Sequence, residues 1–191
     1  GVDGRMIEIT SETIERTQEL LAGIPKGAER AFSSAINRGL THTKTQAFKQ
    51  VKTVYAVKQS ALNEATKTRV QKASTGNLAG YISFSGVKIP LYKFQVTPKE
   101  PGTKKKVRAG VMKGGGETFD SAFIAKMKSG HIGIFERITS KRFPIEEKMG
   151  LSAAQMVKNE VIMEKLTQEA QEKVDERLKH EIDRILNGHG G

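Results

Sequence analysis

Apolar residues in the first third of the chain recur every three to four positions, which is the period of an amphipathic helix. Thr10 or Ser11 can cap a first short helix, which the Gly- and Pro-containing segment 23–27 ends. A longer helix is predicted over about 28–54, and a short third helix over about 57–66. Small residues on the long helix would let a second element approach it closely: Ala31, Ala35 and Gly39.

From residue 68 the apolar positions alternate instead, which predicts strands. Short strands separated by Gly, Pro and Asn turns are predicted at 68–72, 78–85, 87–89, 91–97, 105–113, 122–127 and 131–137. Pro90 indicates a kink or a sheet edge, because proline cannot donate a hydrogen bond to a neighbouring strand. The connections are too short for parallel crossovers, so the strands should form an antiparallel meander.

The last third of the chain returns to a helical pattern. Ser152 is a suitable N-cap, and the chain from there to about residue 186 contains neither Gly nor Pro. Its apolar residues repeat every four positions, at Ile162, Leu166, Ala170, Val174, Leu178, Ile182 and Leu186, with Val157 and Val161 beginning the series. Four residues turn a straight helix through about 400°, so the stripe drifts by about 40° per step. We therefore expect this helix to cross a curved surface or two surfaces in succession, rather than to pair along a coiled-coil seam.

Together these patterns predict an α+β fold with N-terminal helices, a central short-stranded antiparallel sheet and a long C-terminal helix. A length of 191 residues suits one domain with a real core. We predict a single domain over 1–191. Its parts are a helical region at 1–66, a basic β region at 67–144, and the C-terminal helix with a flexible tail at 145–191.

Composition narrows the class of protein. Apolar residues make up 37% of the chain and Trp is absent, which predicts a modest core. The absence of Cys excludes disulfides, thiolate zinc sites and cysteine nucleophiles. No apolar run approaches the roughly 18 residues of a membrane span. We expect a soluble protein made in the cytoplasm.

The positive charge is concentrated in the middle of the chain. Within a net charge of +11, residues 67–144 carry 16 Lys and Arg against 4 Asp and Glu, whereas residues 145–191 carry 7 against 10. The densest basic positions are Lys104, Lys105, Lys106 and Arg108, followed by Lys113. A concentrated basic surface predicts an acidic partner, either nucleic acid or an acidic protein face. The alternative is that the lysines are scattered over a solvated surface.

No pattern in the chain supports catalysis. The glycine-rich segment 110–116 lacks the Gly-Lys-Ser/Thr ending of a phosphate-binding loop and is predicted to be a hairpin tip. The histidines lack the spacing of metal ligands, and Glu146 and Glu147 have the pattern of exposed helix residues. Ser129 and His131 share one tight turn, which rarely places a serine oxygen against an imidazole. We predict no enzyme, no cofactor and no metal site.

A distinctive hairpin follows the basic region. Two short apolar runs flank a Lys-Ser-Gly-His turn, which needs a positive φ at Gly130. The hairpin residues are Phe123, Met127, Lys128, Ser129, Gly130, His131 and Phe135, and Phe143-Pro144-Ile145, Gly150-Leu151-Ser152 and Gln155-Met156 follow them. Upstream lie Ala35-Ile36-Asn37-Arg38, Thr45-Gln46-Ala47 and Tyr55-Ala56-Val57-Lys58.

In these residues the chain resembles the minor tail protein Z family, the tail completion proteins of tailed bacteriophages. The resemblance spans roughly residues 28–165 and is most specific at 123–156. Leu151 departs from it, because the family has proline at that turn.

The resemblance implies a structural virion protein in the tail neck of a phage or prophage, made in the host cytoplasm. It implies completion of the tail and a place in the head–tail connector as a homo-oligomeric ring, with six copies as the best guess. The implied partners are a tail terminator or tail tube protein, a head completion protein and the genome end in the channel, with no membrane. The basic residues at 104–108 and 113 would contact an acidic neighbour or the DNA.

A free-standing basic nucleic-acid-binding module is the alternative function. Such a module should carry stacking aromatic residues among its basic strands. The available residues are Tyr81, Phe84, Tyr92, Phe94 and Phe119, and no recognisable DNA- or RNA-binding motif accompanies them. Salt-dependent binding of the isolated protein to DNA fragments would favour this alternative, and absence of binding would favour the assembly role.

Overall fold

The computed structural model describes residues 9–188. The helices are α1 (Ser11–Leu20), α2 (Gly27–Val54), α3 (Gln59–Ala65), α4 (Ala153–Val157) and α5 (Glu160–Leu186). The strands are β1 (Thr66–Gln71), β2 (Tyr81–Gly86), β3 (Gln95–Thr97), β4 (Val107–Gly110), β5 (Glu117–Phe119), β6 (Ala122–Lys126), β7 (Ile132–Arg137) and β8 (Ile145–Glu147). This order confirms the predicted α+β class. The predicted tail beyond Gly188 lies outside the described residues.

The strands form three small sheets, with the orders β1-β2, β3-β4-β5 and β6-β7-β8. Consecutive strands of the two three-stranded sheets pair antiparallel, as a meander requires. None of the helices between residues 9 and 188 combines the length and the hydropathy that a membrane span requires.

The strand prediction was wrong at several places. Residues 87–89 form no strand, because Ile89 instead accepts from Gly150 N (2.7 Å) and donates to the Leu151 oxygen (3.1 Å). Residues 91–93 form a 3₁₀ turn directly after Pro90, where a kink was predicted. β5 and β8 were not predicted, since each has only three residues and little apolar alternation.

The predicted C-terminal helix is two helices. Ser152 caps α4 as predicted, because its Oγ accepts from Gln155 N (3.3 Å) while Gln155 Oε1 accepts from Ser152 N (2.9 Å). Asn159 then caps α5, accepting from the N–H groups of Val161 (3.0 Å) and Ile162 (3.4 Å). The four-residue spacing of apolar residues continues across this break. Periodicity therefore gave no sign that a second helix begins at residue 160.

The apolar stripe of α5 drifts as its four-residue spacing requires. The buried members of the predicted series are Ile162, Leu166, Ala170, Val174 and Leu178. Beyond them the buried side of the helix passes to Glu181 and Ile185, while Leu186 is 50% exposed. Of the two residues predicted to begin the stripe, Val157 is buried in α4 and Val161 is 69% exposed. The prediction was therefore right about the drift and about Val157, and wrong about Val161 and Leu186.

The chain divides into two compact units. Unit 1 comprises residues 1–47, 68–84 and 158–191, and unit 2 comprises residues 48–67 and 85–157. Each unit takes in helical and β segments, so the units cut across the three predicted regions. The single domain over 1–191 stays a prediction.

A helical core stabilises unit 1. It consists of Leu21 after α1, Ala31, Phe32 and Ala35 of α2, and Val174, Leu178 and Ile185 of α5. Ala31 and Ala35 are fully buried in it. Small side chains on α2 therefore allow the close helix packing that their positions predicted.

Asn37 on α2 holds the chain that follows β1. Its Nδ2 donates to the Ala73 oxygen (2.9 Å), and its Oδ1 accepts from Ala73 N (2.8 Å). The side-chain amide thus satisfies both backbone groups of one residue, as a neighbouring strand would.

We expect Asn37→Asp to lower the free energy of unfolding by about 2 kcal/mol, because the carboxylate cannot donate to the Ala73 oxygen and repels it. Asn63→Asp is the matched control, since Asn63 Oδ1 only accepts, from Gln59 Nε2 (2.9 Å). Urea unfolding followed by circular dichroism measures both variants. Equal midpoints for the two would show that the paired contact to Ala73 contributes nothing.

The core of unit 2 is formed by its strands and the 3₁₀ turn. It consists of Leu91, Val96, Val107, Ala109, Ile124 and Ile134. On β4, Val107 and Ala109 are buried, whereas Arg108 between them is exposed. The pleat that buries the core therefore sends the basic side chain outward.

Candidate interaction surface

The two units differ sharply in charge. Unit 2 carries 18 Lys and Arg against 7 Asp and Glu, whereas unit 1 carries 14 of each. The whole net charge of +11 therefore belongs to unit 2. A division this complete argues against lysines scattered evenly over the surface.

Arg108 lies at the centre of the outward face of the β3-β4-β5 sheet. Its directly opposite neighbours are Thr97 on β3 and Thr118 on β5, which are uncharged. Arg108 is exposed. This position leaves its guanidinium open to an acidic partner.

The other predicted basic residues lie at the two ends of β4. Lys104, Lys105 and Lys106 lie in the segment that enters the strand, Lys113 lies in the loop that leaves it, and all four are exposed. Lys106 Nζ lies 2.9 Å from Asp120 Oδ1, but these side chains are 66% and 85% exposed, and such ion pairs are weak. Since β4 separates the two groups by roughly 13 Å, the five residues form a basic strip along one hairpin rather than a tight cluster.

The glycine-rich segment after β4 is a hairpin tip, as predicted. Gln95 on β3 holds the tip, accepting from Gly114 N (3.1 Å) and donating to the Gly115 oxygen (3.2 Å). A Cβ on Gly110 would lie 2.6 Å from the Cα of Gly116. Glycine is therefore required where the two arms of the hairpin meet.

The motif segment forms the predicted hairpin, in which β6 and β7 pair Phe123 with Phe135. Gly130 has the expected positive φ, at +90°. Met127 N donates to the His131 oxygen (2.7 Å) and closes the turn. Lys128 at the tip of the turn is exposed, and Met127 is half-buried.

His131 pairs with a carboxylate that was not predicted. Its Nε2 lies 3.0 Å from Oε1 of Glu147 and also contacts Oε2. Glu147 comes from β8, opposite Phe135. Its carboxylate lies against Gly133, where any Cβ would overlap it. The His-x-Gly sequence at 131–133 thus supplies both a partner and the space for one carboxylate.

Aromatic rings pack beside this contact between His131 and Glu147. The ring centroids of Phe123 and Phe135 are 6.2 Å apart, and the His131 ring meets Phe135 edge-on at 6.5 Å. The Arg137 guanidinium lies 5.2 Å from the centre of the Phe123 ring. Together these contacts leave Phe135 only 6% exposed. The motif residues therefore hold β6, β7 and β8 together.

Ser129 and His131 are turn residues rather than a catalytic pair. Ser129 Oγ accepts from the backbone N–H of His131 (3.4 Å), whereas the His131 ring contacts Glu147. Among residues 9–188 no group of three or more His, Asp and Glu side chains could hold a metal ion. Ser129 therefore stabilises the turn, and His131 connects it to β8.

Glu146 and Glu147 lie on a strand, so their assignment to an exposed helix was wrong. Glu146 is exposed and Glu147 half-buried, as alternation on β8 requires. The adjacent Lys148 places its Nζ 3.2 Å from Glu136 Oε2 and 4.5 Å from the centre of the Phe119 ring. The sequence signal was weak, because a three-residue strand offers only one alternation.

Comparison with known proteins agrees with the resemblance carried by the motif hairpin. The family model described as prophage minor tail protein Z (GPZ) matches residues 13–188. No curated protein and no solved structure matches the chain. The match covers nearly the whole chain and includes both the basic strip and the motif hairpin. The protein therefore belongs to the prophage minor tail protein Z family.

Proposed function

We propose that this protein completes the phage tail and forms part of the head–tail connector as an oligomeric ring. Membership of a minor tail protein family supports a structural role in the tail of the virion. In this proposal the protein acts by assembly, not by catalysis, and it lies at the neck. Its neighbours are a tail terminator or tail tube protein, a head completion protein and the genome end.

The observation that carries this proposal is the charge division between the units. In the basic strip of unit 2, Arg108 projects from a sheet whose other face is a packed core, and the flanking segments carry Lys104, Lys105, Lys106 and Lys113. Such a surface is strongly positive, which favours contact with an acidic protein face or with DNA. Unit 1, with no net charge, provides no comparable attraction.

We expect replacement of all five strip residues by glutamine to reduce joining of heads to tails by about tenfold or more, because charge complementarity raises association rates by orders of magnitude. The measurement is complementation of a phage lacking this gene, with joined particles counted by electron microscopy and retained DNA quantified.

The matched control replaces five exposed basic residues of unit 1 that lie on other surfaces: Lys26, Lys44, Arg69, Lys72 and Lys158. It removes the same total charge and should leave joining unchanged. If the strip variant joins heads and retains DNA as well as the wild type, the strip has no acidic partner. If both variants fail alike, only total charge matters.

A further inference from the structure

The loop between β7 and β8 exposes two large apolar side chains. Ile138 is 59% exposed and Phe143 is 62% exposed. A hydrogen bond from Ile138 N to the Pro144 oxygen (3.2 Å) closes the loop at its base. The two side chains therefore flank one projecting tip. Single exposed apolar residues are ordinary on a monomer, but a pair on one tip has the character of an interface anchor.

The same loop is basic. Residues 138–144 include Lys141 and Arg142 and no Asp or Glu. The Arg142 guanidinium lies 5.5 Å from the centre of the Phe143 ring. Arginine and aromatic side chains together are typical of the residues that dominate binding at interfaces. A partner for this loop would present an apolar surface with acidic residues near it.

Unit 1 contains a groove with an apolar lining between α1 and α5. The groove has a volume of about 870 Å³, within the range of about 300–1,000 Å³ that holds a small organic molecule. Its apolar lining consists of Ile9, Leu20, Leu178 and Ile182. Leu20 is 45% exposed there. The groove is large enough to receive two apolar side chains.

Charge favours the match between this loop and this groove. α1 and α5 together carry 11 Asp and Glu against 6 Lys and Arg, a net charge of −5. The groove wall itself is mixed, with Asp175 and Asp183 beside Arg16 and Lys179. The loop carries +2 and belongs to a unit of +11. Two copies of unit 2 therefore repel each other, whereas unit 2 is attracted to the helices of the groove.

We propose that the β7–β8 loop of one copy docks into the α1–α5 groove of a second copy. Ile138 and Phe143 enter the groove, and Lys141 and Arg142 meet the carboxylates of α1 and α5. The contact is heterologous, so every docked copy leaves one loop and one groove free. Repetition closes into a ring when the rotation between copies permits it. The inference rests on the ring of the proposed function and supplies its interface.

The chain contains no cysteine, so introduced thiols report the contact directly. Ser140→Cys places a thiol on the loop tip, and Thr13→Cys places one in the groove. After oxidation, we expect a mixture of these two variants to give about tenfold more linked dimer than Thr13→Cys mixed with Ser121→Cys. Ser121 is an exposed serine elsewhere on unit 2. A chain carrying both Ser140→Cys and Thr13→Cys should give a ladder of larger species.

A second set of variants tests the anchor residue. Adding Phe143→Asp to the loop variant should reduce cross-linking by about tenfold. Adding Tyr81→Asp, the same change at a 54% exposed aromatic of unit 1, should not.

Equal yields from the Ser140 and Ser121 variants, or cross-linking that ignores Phe143→Asp, would overturn the inference. Loss of DNA binding by Phe143→Asp with unchanged cross-linking would assign the loop to nucleic acid instead. The tail role is measured separately by head–tail joining, and the ring by the mass of the wild-type protein in solution. Failure of this interface is thus distinguishable from failure of the proposed function.

Discussion

Gly86→Ala should lower the free energy of unfolding by about 3 kcal/mol or more, the range reached when a backbone position has no alternative geometry. A Cβ at this position would overlap the carbonyl oxygen of Ala65 and lie 3.1 Å from the Cα of Thr66. Gly86 also has a φ of +155°, which L-residues rarely adopt. Because the obstructing atoms are backbone, relief requires that the junction of α3 with β1 move.

Gly76→Ala is the control for this substitution. A Cβ on Gly76 would meet nothing within 4 Å, so its effect should stay within about 0.5 kcal/mol. Urea unfolding followed by far-ultraviolet circular dichroism measures both variants. A Gly86→Ala protein as stable as Gly76→Ala would show that the carbonyl of Ala65 does not obstruct a side chain on β2.

The helices of this protein are predictable because their signals are local. Thr10 accepts from Thr13 N (3.3 Å), so the predicted cap of α1 is real, and the apolar series of α2 predicts its length to within one residue. The break before α5 was missed because Val157 and Val161 keep the helical spacing on either side of it. Only the capping signal of Asn159 marks that boundary, and capping is weaker evidence than periodicity.

The strands are less predictable because their partners decide which short segments pair. Residues 87–89 alternate well yet form no strand, since Val87 N donates to the Ala65 oxygen while Ile89 bonds to Gly150 and Leu151, more than sixty residues away. β8 has little alternation, yet it pairs with β7. Propensity within a few residues carries no information on such distant pairings.

The candidate surface could be predicted only where its signals are local. The density of Lys and Arg along the chain predicted the basic strip, and the two apolar runs that flank Lys-Ser-Gly-His predicted the turn at Gly130. The partner of His131 is Glu147, sixteen residues away on another strand. Nothing local links these residues, so the turn could be predicted and the contact that explains its His-x-Gly sequence could not.

Gly133→Ala should lower the free energy of unfolding by about 2 kcal/mol, since it displaces a hydrogen-bonded charge. A Cβ on Gly133 would overlap the Glu147 carboxylate and lie 3.1 Å from Cε2 of Phe135. The carboxylate is the end of a flexible side chain, so it can swing away, but it then loses His131. The aromatic packing on Phe135 loosens with it.

A double-mutant cycle separates this mechanism from a general effect of alanine in the hairpin. Glu147→Ala removes the carboxylate that obstructs the new methyl group, so Gly133→Ala should cost about 1 kcal/mol less in the Glu147→Ala background than in the wild type. Glu146→Ala is the matched control, because Glu146 is exposed on the same strand and its removal should leave the cost unchanged. Chemical unfolding of the variants gives the coupling. Additive effects of Gly133→Ala and Glu147→Ala would show that Gly133 is required for the backbone of β7 and not for the carboxylate, and the His-x-Gly sequence would then need another explanation.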